Sequence, residues 1–290
     1  MVSIRSISED IRDVCYDVDR NITGLSHEDA QSWARANSIR HAHTIAALIE
    51  YNRSMKRDRI RILNASGISC GHQDFSIATY LTGNGIKYSW KVFESPGSRF
   101  LGNRRFKRYL KDLNIDLETS DFSSTDPSKL YGETGNEYDV VLFTEIAEHL
   151  DHTTFLNSLT AMNRKLKDKG RLILTTPNLV SLPNRMRILF GNGELTYMGD
   201  GTRNLEKGVY GHIVYYDQMR LRKLLRDTGF EIERAYTFNY GEGRVDGGRR
   251  VALALNDLIT YFFKNTRSTI FIVARKAEPV RIPLVLPSQV

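Results

Sequence analysis

The sequence predicts an α/β protein: a seven-stranded, mostly parallel sheet with helices on both faces, preceded by a helical cap. Two observations predict it. From Arg59 onward short apolar runs alternate with helical stretches, the pattern of strands buried on both faces and joined by crossover helices. Before that point, Ile4 to Val18 and Ser26 to Tyr51 repeat apolar residues at helical spacing, with Ser26 and Glu28 near a plausible helix start.

The predicted strands are Ile60 to Asn64, Tyr88 to Glu94, Ile115 to Thr119, Tyr138 to Thr144, Gly170 to Thr176, Phe230 to Phe238 and Thr269 to Ala274. Helices are expected near 73–82, 98–112, 152–167 and 216–228. The domain reading is therefore a cap over 1–56, an α/β domain over 57–276 with insertions at 178–212 and 240–264, and an extended tail over 277–290. The first insertion is rich in Gly, Asn and Arg and is longer than ordinary connections, which makes it a candidate lid. In the second, Val251 to Phe263 reads as an apolar helix for which lid, core and dimer surface are all open, with packing in the core expected by default.

Composition narrows the function. Hydrophobic residues make up 41% and charged residues 26%, a globular balance, and no apolar run approaches the roughly 20 residues that cross a bilayer. Met1 to Arg20 carries Asp and Glu throughout and lacks the basic-then-apolar pattern of an export signal, so a cytoplasmic protein is expected. Cys15 and Cys70 are too few for a disulfide framework or a zinc site. The net charge of +7 is modest, and its densest stretch, Arg99 to Lys111, reads as the solvated face of a helix rather than a nucleic-acid groove.

In an open parallel sheet, ligands bind beyond the carboxyl ends of the strands, so the strand ends carry the chemistry. After the first strand comes Asn64-Ala65-Ser66-Gly67-Ile68-Ser69-Cys70-Gly71, whose small residues let backbone N–H groups approach a nucleotide. Glu94 ends the second strand, where a carboxylate can accept from both ribose hydroxyls. Asp121 and Phe122 follow the third, where they can take an adenine amine and cover the ring. The fourth strand runs through Thr144 directly into Glu145-Ile146-Ala147-Glu148-His149-Leu150. On a helix, Glu145, Glu148 and His149 would share one face.

This last segment resembles the strand-four motif of class I S-adenosylmethionine-dependent methyltransferases, an apolar strand followed by Glu, two residues, Glu-His and an apolar residue. Thr175 to Asn178, Gly211-His212, Thr228 to Phe230 and the final strand through Lys276 are similar to theirs and stand in the same order. The resemblance covers roughly residues 59–276. It implies a Rossmann-like fold and S-adenosylmethionine as methyl donor. It also implies cofactor contacts from Asn64, Ser66, Gly67, Glu94, Asp121, Phe122, Thr144 and Glu145. The family usually has an acid where Asn64 stands and a glycine where Ser66 stands.

Methyl transfer to a hydroxyl is helped by a base, and His149 is the leading candidate, with His212 facing the same chemistry. The roomy first insertion and Tyr197, Tyr210, Tyr215 and Tyr216 suit a small ring-bearing acceptor: a sugar, a phenol or a biosynthetic intermediate. Two carboxylates with His149 and His212 also resemble the metal site of enzymes that methylate RNA 3′ ends at the 2′-oxygen, so a divalent ion is a secondary reading and no metal ligand is assigned. A non-catalytic binding subunit of the same fold is the other alternative, and a homodimer is left open. A nicotinamide-dependent oxidoreductase would need the glycine pattern that Ser66 and Ile68 break.

Overall fold

The computed structural model describes residues 3–68, 71–94, 97–119, 137–191, 212–239 and 247–277, with backbone alone at 247–253. Its seven strands form one sheet in the order β3-β2-β1-β4-β5-β7-β6. They are β1 (Ile60–Asn64), β2 (Tyr88–Glu94), β3 (Ile115–Thr119), β4 (Tyr138–Thr144), β5 (Leu166–Pro177), β6 (Phe230–Phe238) and β7 (Thr269–Lys276). The pairs β1–β2 and β2–β3 are parallel, whereas β7 lies antiparallel to both β5 and β6. Every residue of β4 is buried, as an interior strand covered on both faces requires. The α/β prediction with a mostly parallel sheet is borne out.

The described helices are α1 (Ile4–Asn21), α2 (His27–Met55), α3 (His72–Gly83), α4 (Arg104–Asp112), α5 (His152–Lys165), α6 (Leu182–Leu189), α7 (Gln218–Asp227) and α8 (Gly247–Phe262). The chain divides into two compact units, one of residues 1–122, 138–141 and 240–246, the other of 123–137, 142–239 and 247–290.

In the first unit, α1 buries Ile7, Ile11, Cys15 and Val18, a stripe at helical spacing turned onto α2. Ser26 caps α2 by accepting from the Asp29 N–H at 3.1 Å, and Lys56 ends it in the left-handed region. Polar pairs fasten α1 and α2 to α3: His41 Nδ1 lies 2.8 Å from Ser76 Oγ and His72 Nε2 lies 2.9 Å from Asp19. On α4 the basic run is solvent-facing as expected, with Phe106 its one buried residue and Arg105 paired to Asp17 of α1.

In the second unit, Asp151 caps α5 through the N–H groups of Thr153 and Thr154, and Phe155 of that helix stacks on Phe143 of β4. The start of the 178–212 insertion, the candidate lid, is the helix α6. One expectation fails here. The second insertion's helix, α8, does not turn its described apolar side chains into the core: Leu255, Leu258, Tyr261 and Phe262 are all exposed, as is Phe263 just after it. Among its described side chains Asn256, Ile259 and Thr260 turn inward, while the larger apolar ones point outward.

Candidate active site

The loop after β1 is shaped by its own polar groups. Asn64 Oδ1 accepts from the Ser66 N–H at 2.9 Å, an Asx turn that reverses the chain at the strand end. The Asn64 amide then donates to both oxygens of Asp74 on α3, at 2.8 and 3.0 Å, and Trp90 Nε1 of β2 donates to the same carboxylate at 2.8 Å. Asp74 is buried, and burial pushes it up to about 7 even though Asn64 and Trp90 favour the ionised form. Asn64 thus acts by holding the loop, its side chain fully engaged within it. Asp74 and Trp90 were not singled out in the sequence. The one available signal was an acid in the first turn after a glycine loop.

Gly67 adopts φ +81°, and a Cβ built there would stand 3.9 Å from the Glu94 carboxylate and 3.8 Å from the Phe93 carbonyl. The Ile68 N–H donates to that same carbonyl at 3.2 Å, tying the loop to the end of β2. Glu94, almost wholly buried, therefore lies alongside a stretch of bare backbone. This cradle fits the ribose of an adenosine cofactor: a carboxylate for the diol and a glycine that leaves room beside it. Gly71 closes the loop at φ +86°, where a side chain would collide with the Phe75 ring at 2.3 Å. Asp121 and Phe122 lie outside the described residues.

The second group stands at the carboxyl end of β4. Thr144 is buried, and Glu145 takes the left-handed conformation at φ +53°, its N–H donating to the Thr175 carbonyl at 2.9 Å. A non-glycine residue held there is strained, the kind of strain that gathers at functional sites. The expected helical face of Glu145, Glu148 and His149 is not formed. Asp151 caps α5, so the α-helix begins only at His152 and the motif folds as a 3-10 turn over Ala147–His149. Glu148 is consequently turned inward, its Oε2 accepting from Thr176 Oγ1 at 2.8 Å. Its Oε1 lies 4.0 Å from His149 Nε2, and His149 keeps 27% of its side chain open.

His212 reaches this group through backbone bonds: the N–H groups of Ile213 and Val214 both donate to the Glu148 carbonyl, at 2.7 and 3.1 Å. The His149 and His212 rings meet edge to face at 4.9 Å, and Tyr215 Oη lies 3.1 Å from His212 Nδ1. One donor atom each from Glu148, His149 and His212 lie within 4.8 Å of one another, a set that chemistry allows to hold a divalent ion. Of the four tyrosines, Tyr216 is wholly buried against Phe155 and is core. Tyr197 and Tyr210 lie outside the described residues.

Residues 39–235, more than half of the chain, match the model of a methyltransferase domain family. The chain belongs to that family. It is a class I S-adenosylmethionine-dependent methyltransferase, with S-adenosylmethionine as methyl donor. Solved methyltransferases share its fold. One from Mesorhizobium loti, 13% identical, has a TM-score of 0.50 over 77% of this chain and 94% of its own. Another, from Galdieria sulphuraria and provisionally assigned as a sarcosine dimethylglycine methyltransferase, is 14% identical, with a TM-score of 0.52 over 92% and 98%. A third, a Haloferax volcanii protein solved in complex with the Trm112 methyltransferase activator, is 12% identical, with a TM-score of 0.50 over 84% and 94%. Comparison with curated proteins gives no match.

Proposed function

We propose that this methyltransferase methylates a hydroxyl of a small ring-bearing metabolite, with His149 as the base. The observation that supports it most is the juxtaposition of the half-open His149 with His212 and the buried Glu148. When bound, the cofactor would supply an electrophilic methyl on a sulfonium, which would pass to the acceptor oxygen as the carbon–sulfur bond breaks. The role of His149 is to take the acceptor's proton. Glu148 Oε1 stands 4.0 Å from His149 Nε2, and Thr176 keeps the carboxylate in place. His212 orients the acceptor and is itself oriented by Tyr215. At the cofactor, we assign Glu94 to the ribose, Ser66 and Gly67 to close backbone approach, Asn64 to holding that loop, Thr144 and Glu145 to the methionine end, and, by the resemblance alone, Asp121 and Phe122 to the adenine.

The test is turnover with a panel of sugars and phenols together with calorimetry of S-adenosylmethionine. His149→Ala is expected to cut turnover by about 10²–10⁴ while cofactor affinity stays within about threefold. Undiminished turnover would remove His149 as base. The ligand geometry of Glu148, His149 and His212 supports a second reading, in which a divalent ion at those side chains activates the hydroxyl. Magnesium or zinc binding that disappears in His212→Ala, with turnover lost in chelator, would favour it over the base.

A further inference from the structure

A helix on a protein surface ordinarily turns its apolar stripe inward, because that burial is what attaches it. In α8 the arrangement is reversed. Asn239 donates to Asp257 Oδ1 at 2.8 Å and to Thr260 Oγ1 at 3.0 Å, so polar bonds attach the helix to its unit. Leu255, Leu258 and Phe262, at helical spacing, face out, and Phe262 is 72% exposed. The neighbouring α6 buries no residue and ends in Ile188, Leu189 and Phe190, with Phe190 79% exposed. Two helices in contact thus each leave large apolar and aromatic side chains in water.

Among the described side chains of α6, α8 and the turn after α8 the charge is mostly of one sign: Arg185, Arg187, Lys264 and Arg267 against the single acid Asp257. That acid accepts from Asn239. Leucine and phenylalanine bordered by arginine and lysine match an anionic bilayer interface, where apolar side chains enter the acyl boundary and cations meet the headgroups. No described helix is long and apolar enough to cross a membrane, so the fit is to the surface of the bilayer. A second copy fits less well, since two-fold pairing would set the basic residues against their own kind. We propose that α6 and α8 form a docking surface for anionic lipid membranes.

The full chain should float with vesicles of equal phosphatidylglycerol and phosphatidylcholine, and much less with phosphatidylcholine alone. Raising salt from about 0.1 to 0.5 M should weaken the association several-fold, because the charge contribution is screened. Leu258→Asp with Phe262→Asp should reduce it at least about tenfold while circular dichroism stays unchanged, since both side chains are exposed. Absence of association at about 1 mM anionic lipid would overturn the proposal, as would equal binding to neutral vesicles or undiminished binding by the double variant. A wild-type dimer in light scattering that the same variant dissociates, without lipid binding, would assign the surface to a second copy and overturn it equally.

Discussion

Asn64→Asp replaces the amide at the end of β1 by the acid that its family usually carries there, and the structure predicts that this chain will not tolerate it. The wild-type amide donates twice to the buried Asp74 carboxylate, at 2.8 and 3.0 Å. Donations to a charged group are worth about 1.5–3 kcal/mol each. A second carboxylate about 3 Å away would repel by about 5–6 kcal/mol at an effective dielectric of about 20. The pair escapes by retaining one proton between them, which raises the folded-state pKa above its unfolded value more than burial already does. Stability held through that proton is present at low pH and is lost as pH rises through the folded pKa, which for Asp74 in the wild type is about 7. Relative to wild type, Asn64→Asp should therefore lose about 1 kcal/mol at pH 5 and about 3–5 kcal/mol at pH 8. Urea unfolding of both proteins at the two pH values measures this difference, and subtraction cancels every other titrating group. Equal losses at pH 5 and pH 8, or none at pH 8, would refute the Asn64–Asp74 account.

Four other outcomes are expected. Gly71→Ala combines a left-handed backbone with a Cβ 2.3 Å from Phe75, whose ring is held by Phe106 and Tyr109, so it should cost about 3–5 kcal/mol in chemical unfolding. Gly85→Ala, at φ +67° with open space around it, should cost only about 1–2 kcal/mol. Burial holds the His41 imidazole well below its ordinary value, aided by Arg40 and His72, so its contribution is present above about pH 6.5 and is lost as pH falls. Thermal melts of His41→Gln should show a flatter decline from pH 7 to 5 than wild type, and an unchanged slope would contradict this. Thr176→Val removes the donor to Glu148 and should cost about 1.5–3 kcal/mol while reducing turnover at unchanged cofactor affinity; Thr176→Ser should restore both.

Much of the architecture was legible in the chain itself. The apolar run of β4 and the alternation after Arg59 located every strand, because burial on both faces leaves a pattern that needs no knowledge of partners. The strand boundary missed by most, β5 beginning at Leu166 rather than Gly170, follows a helix that passes into strand without a glycine or proline to mark the change. The order of motifs from Asn64 to Lys276 likewise identified the methyltransferase class before any distance was known.

Tertiary structure decided what each side chain meets. Periodicity found the apolar stripe of α8, but only the bonds from Asn239 show that the stripe faces outward. The Glu-x-x-Glu-His segment reads as a helical face until Asp151, capping the next helix, confines it to a 3-10 turn that sends Glu148 to Thr176 and His149 to His212. The sequence also leaves Asn64 as a loss of charge, whereas the fold pairs it with Asp74, ten residues on. The physical reason is common to all three: sequence pattern reports how much of a side chain leaves water, while a hydrogen bond depends on partners that only chain folding brings within 3 Å.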